Sequence, residues 1–129
     1  MSALFSQAVE ITVTTPYPSK INLSISPTSG DENTTFTASG TVYDQNGNPI
    51  SGVPVYLFSY LCGSSRGGEV VWNQLKGVSG TTDSNGDYSI TFTGGEVMSA
   101  MGLTASEANL VFAVEASYQD SQSPSNAPC

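Results

Sequence analysis

The chain has 129 residues, of which three are Lys or Arg, eleven are Asp or Glu and none is His, for a formal net charge of −8. That balance gives nucleic acid or an anionic membrane no electrostatic reason to bind. The apolar runs, a few residues each, fall short of the roughly 20 that a membrane-spanning helix needs.

The length suits one domain that buries a core without depending on metals or disulfides. Charged residues are only 11% of the chain, against about 25% in an average soluble domain, and Ser and Thr together supply about a quarter of it. A surface built from hydroxyls and amides suits an extracellular or cell-surface protein. The opening "MSALFSQAVE" has neither the basic start nor the long apolar run of a signal peptide. The expectation is therefore a leader already removed, or export by another route such as inside a virion.

Alternation with period 2 recurs along the chain. The first predicted strand is Ala8 to Thr14, with Val9, Ile11 and Val13 on one face and Glu10, Thr12 and Thr14 on the other. "TPYPSK" breaks it, because proline removes a ladder donor. Ile21 to Ser26 follows, with Ile21, Leu23 and Ile25 inward, and "PTSGDEN" is a turn cluster. Thr34 to Tyr43 offers Phe36, Ala38, Gly40 and Val42 to the core, and beyond "DQNGNP" a further strand has Val53, Val55 and Leu57 as its inner face. After the loop "CGSSRGG", "EVVWNQL" reads as a strand. Val78 to Asp83 and Asp87 to Thr93 read as a hairpin around "DSNGD", where Asn85 and Gly86 both tolerate positive φ. "GGEVMSAMGLTASEAN" loses the alternation and permits one or two helical turns, as a crossover. Leu110 to Tyr118 is the last strand, and residues 119–129 form a polar tail.

The fold class is therefore all-β, a Greek-key sandwich of roughly seven or eight strands with an extra N-terminal strand. The organisation is an extension over residues 1–15, a sandwich over 16–118 and a tail over 119–129. Phe36, Val42, Val55, Leu57, Ile90, Phe92, Phe112 and Val114 are its predicted core. The stretches "SGTVYDQNGNPISGVPVYLFS", "GTTDSNGDYSITFT" and "NLVFAVEASY" resemble the bacterial and archaeal immunoglobulin-like domains of the invasin and intimin type, and the related carboxypeptidase-regulatory-like modules. The resemblance spans roughly Ile21 to Tyr118. It implies an immunoglobulin-like sandwich used as a spacer, stalk, adhesin segment or virion decoration. It leaves the first strand and the Met/Ala-containing insertion outside the pattern.

The chemistry-bearing residues are sparse. Asp44-x-Asn46-x-Asn48 and Asp83-x-Asn85-x-Asp87 place oxygens at alternate positions as calcium loops do, but neither has the downstream Glu of an EF-hand, and tight turns demand the same residues. Without His, a nucleophile–histidine pair and His-containing metal sites are excluded, and the scattered carboxylates give no preferred pair. No enzyme and no cofactor is predicted. Cys62 and Cys129 either pair, closing a loop of about 68 residues worth about 4 kcal/mol, or stand as a buried thiol and a thiol in the tail. Asn22 and Asn33 begin N-glycosylation triplets, which also arise by chance in a Ser/Thr-rich chain.

Tyr56, Phe58 and Tyr60 alternate opposite Val53, Val55 and Leu57 and would form an aromatic stripe outside the sandwich. The alternatives are cover from the segment near Met98 and Met101, a protein interface, or a sugar-stacking platform. The leading expectation is a structural subunit of an extracellular filament, pilus or surface layer, a homo-polymer with glycans as possible partners. Residues Leu4 to Thr14, with Leu4, Phe5, Val9, Ile11 and Val13, would insert into a neighbour's open sheet edge, an arrangement that resembles bacterial and archaeal donor-strand filaments. The rivals are a virion structural or decoration protein and a carbohydrate-binding or adhesin module.

Overall fold

The computed structural model describes residues 3–62, 72–104 and 107–116. Among them run β1 (Pro18–Ile21), β2 (Ser24–Ser26), β3 (Thr35–Asp44), β4 (Pro54–Leu61), β5 (Asn73–Thr81), β6 (Asp87–Thr93), α1 (Gly94–Ala100) and β7 (Leu110–Ala116). In one sheet β3 pairs with β6 on one side, and with β1 and then β2 on the other. The second sheet has the order β5-β4-β7, and every pairing is antiparallel. This is the two-sheet, nearly all-β sandwich that the alternation predicts.

The inner faces follow the pattern read from the sequence. Val42, Val55, Leu57, Ile90 and Phe92 are buried, and Phe36, Phe112 and Val114 pack against them half-buried. Phe92 stacks on Phe36 in its own sheet at 5.6 Å between ring centroids and meets Phe112 of the other sheet at 5.4 Å. Both separations lie in the range where ring pairs attract beyond simple burial. The segment after β6 is a short helix, as its composition allows. It is fixed by a capping box in which the Thr93 hydroxyl accepts from the Glu96 N–H while the Glu96 carboxylate accepts from the Thr93 N–H. Its Val97 plugs the core.

Gly40 has a packing reason. It pairs with Tyr88 of β6, and a β-carbon there would collide with the Asn22 carbonyl on the neighbouring edge. With that space open, the Tyr88 hydroxyl donates to the Asn22 carbonyl oxygen. Asn22 in turn accepts from the Thr41 N–H through its side-chain oxygen at 2.7 Å. Its side chain thus takes a ladder position where the predicted single strand Ile21 to Ser26 divides into β1 and β2.

Several expectations are corrected. Ala8 to Thr14 joins no ladder in this subunit. The "TPYPSK" break ends earlier than read, since Pro18 opens β1 as a strand-first residue. The predicted hairpin around "DSNGD" is instead a crossing: β5 pairs with β4 and β6 pairs with β3, in different sheets. Thr82 explains it. Its hydroxyl accepts from the Val53 N–H and donates to the Ile50 carbonyl, and its own N–H donates to the Val53 carbonyl. These bonds hold the end of β5 to the entry of β4, while the Gly86 carbonyl accepts from Val42 of β3. Within β5, Leu75 and Val78 both point inward despite their odd spacing, because a bulge with Gly77 at φ 79° changes the facing. Most of "EVVWNQL" and the tail lie outside the described residues.

Truncating Phe92 to Ala removes both ring contacts and is expected to cost about 3–5 kcal/mol in urea unfolding; a loss below about 1 kcal/mol would mean the ring does not join the sheets. Burial pushes the Tyr88 phenol up to about 12, above the ordinary value of about 10. The neutral phenol's contribution is thus complete below about pH 10 and is lost as pH rises toward 12. Tyr88→Phe is expected to lose about 0.5–1.5 kcal/mol near neutral pH and to show a shallower alkaline decline than wild type. Identical alkaline profiles for the two proteins would contradict this assignment.

Candidate functional site

The N-terminal extension carries the exposed apolar surface of this molecule. Leu4, Phe5, Val9, Ile11 and Val13 are 98, 89, 83, 77 and 82% exposed. Single exposed hydrophobics are ordinary, but five on one segment form a patch of the kind that marks an interaction surface. In extended form Val9, Ile11 and Val13 share one face, since strand side chains alternate.

The base of this extension is held by one side chain. Gln45 accepts from the Tyr17 N–H at 2.9 Å and donates to the Thr15 carbonyl at 3.1 Å, so both ends of its amide grip the main chain on either side of Pro16. Gln45 itself sits in a stapled turn: the Asp44 carboxylate accepts from the N–H groups of Asn46 and Asn48 at 2.9 Å each. The second Asx-rich loop repeats the device, the Asp83 carboxylate accepting from Asn85 at 2.8 Å and Asp87 at 3.0 Å. Gly47 and Gly86 complete the turns at φ 83° and 76°. In both loops the carboxylate oxygen that a cation would need is engaged by backbone donors. Among the described residues no group of three His, Cys, Asp or Glu residues could hold a metal ion. Sequence reasoning missed Gln45, because its contacts lie some 30 residues away and leave no local signal.

The aromatic stripe is corrected. Tyr56 and Phe58 are half-buried, but Tyr60 is 1% exposed and packs on Trp72 with centroids 5.6 Å apart. Cover comes from Trp72, while α1 lies against β5 and β6. Asn22 and Asn33 are both exposed. The Asn33 N–H donates to Asp31 in a turn, and Asn22 uses its side-chain oxygen toward Thr41. Cys62 is disulfide-bonded; its expected partner Cys129 lies outside the described residues.

The family model of the bacterial Ig-like domain (group 1) matches residues 18–125. The chain belongs to that family. The match begins at Pro18, where β1 starts, and leaves the exposed extension outside it. Domains of this family are generally non-catalytic and often surface-exposed. Neither the curated proteins nor the solved structures compared include a match. No helix among the described residues is long and apolar enough to cross a membrane.

If the two Asp loops are turn staples, EDTA should move the melting temperature by no more than a few degrees, whereas Asp44→Ala, which orphans two backbone donors, should lower it by several degrees at about 1–3 kcal/mol. A fall above about 10 °C on chelation would make the loops metal sites.

Proposed function

We propose that this Ig-like domain is a non-enzymatic structural subunit of an extracellular filament, pilus or surface layer, joined to its neighbours by N-terminal strand exchange. The observation that supports it is the bare apolar row of the extension, 77–98% exposed at five positions, with strand periodicity and no ladder in its own subunit. Added to a neighbour's sheet edge, that segment satisfies main-chain groups on both chains and buries Val9, Ile11 and Val13 at about 1.5–3 kcal/mol each. Part of that gain offsets the ordering of the segment. The Gln45 clamp contributes by fixing where the strand leaves the domain, so successive subunits meet in a repeated orientation. Asn22 and Asn33, both exposed, are the proposed glycan positions. The sugar-binding reading is weaker, because burial of Tyr60 removes one of the three rings on which it rested.

Negative-stain microscopy and sedimentation of the full-length protein at high concentration should show polymers. The triple variant Val9→Asp, Ile11→Asp and Val13→Asp should stay monomeric with an unchanged melting temperature, because these side chains touch little of their own domain. A wild-type protein that remains monomeric while the amides of residues 8–14 are protected from exchange would place the strand in its own sandwich and end this reading.

A further inference from the structure

Given strand exchange as proposed above, the remaining question is which edge accepts the strand; we infer that it is the outer edge of β7, covered by residues Ala8 to Thr14 of a second copy. Edge strands left open invite such pairing, and proteins guard the edges they mean to keep free with short strands, proline, bulges or cover. The other edges of this sandwich carry those guards. The β1/β2 edge is made of strands of four and three residues, with Pro18 opening one and Pro27 following the other. Along β5, Lys76 and the left-handed Gly77 form a bulge, and α1 lies beside it. β6 is shielded by β5, whose Gly80 comes so close that a β-carbon there would sit 3.2 Å from the Ser89 carbonyl oxygen.

β7 has none of these guards. Its seven residues contain no proline or glycine, and it runs in unbroken register with β4 from Leu61 opposite Leu110 to Val55 opposite Ala116. All seven are half-exposed, whereas Val55, Leu57 and Ser59 on β4 are fully buried. The flank facing the open edge is therefore the thinly covered side of the core. β1 approaches β7 from the other sheet, so a strand laid on β7 would lie between them.

The direction of the main-chain groups follows from the ladder. The Cys62 N–H donates to the Asn109 carbonyl at 2.9 Å, and hydrogen-bonded pairs alternate in an antiparallel ladder. Val111, Ala113 and Glu115 therefore turn their N–H and C=O groups toward β4. Leu110, Phe112, Val114 and Ala116 turn theirs to the open edge, and these are the residues whose side chains face the core. The predicted strand Ala8 to Thr14 has the same seven-residue length, and its Val9, Ile11 and Val13 would continue that apolar row.

The test uses the full-length triple Asp variant as an acceptor that cannot donate, with a synthetic peptide of residues Ala3 to Thr14, read by amide hydrogen exchange and thermal melting. The melting temperature should rise with peptide concentration. The amides of Leu110, Phe112, Val114 and Ala116 should gain at least about tenfold protection, while those of Val111, Ala113 and Glu115, already slow, and those of β5 and β6 stay unchanged. If the four alternate amides are protected before peptide is added, the subunit's own chain covers that edge and the inference fails. A rise in melting temperature with protection at another edge overturns the choice of β7 and leaves strand exchange standing. No rise and no protection anywhere overturns both.

Discussion

Among the described residues no backbone ladder joins the two sheets; what holds them face to face is apolar contact, centred where Phe92 touches Phe36 beside it and Phe112 across from it. Sheet packing of this kind is strong in sum and undirected in detail. The alignment of the layers therefore has to be set by something local, and the loops where the chain passes between layers supply it. Thr82 ties the end of β5 to the start of β4, and the following turn delivers β6 to β3.

The same five-residue chemistry is used at two ends of that arrangement. Asp-x-Asn-Gly followed by Asn or Asp occurs at 44–48 and at 83–87, and in both the first carboxylate is consumed by two backbone N–H groups. Such a turn needs little help from the core, because its donors are satisfied within it. Its outer residues are then free for other tasks. In the first turn Gln45 uses that freedom to hold Thr15 and Tyr17, so a loop that is punctuation for the fold also sets the base of the extension.

The distribution of apolar surface separates the two parts of the molecule. Inside the sandwich even a small residue such as Gly40 has its contacts fixed, and Tyr88 reaches over it to Asn22. In the extension, large side chains are bare. A chain with so few charges has little electrostatic repulsion among its apolar segments to keep copies apart, which makes the unpaired segment and an unguarded edge a consequential pair.

Much of the sandwich was legible in the residues themselves. Alternation gave the inner faces of β3, β4, β6 and β7 correctly, and the Asx-Gly clusters gave the turns. The capping box Thr93-x-x-Glu96 was equally available as a start signal for α1 and went unread. Each of these is a local pattern, because side chains alternate with period 2 and turns need particular φ values wherever they occur. Sheet membership was different: β5 and β6 were read as a hairpin and belong to separate sheets, and Tyr60 was placed outside where Trp72 covers it. Gln45 could be read as a turn residue but not as a clamp. The physical reason is the same in all three. A sequence records which face of a strand is apolar, but every residue except proline offers the same main-chain N–H and C=O to whichever neighbour arrives, so the choice of neighbour was made only when the chain folded.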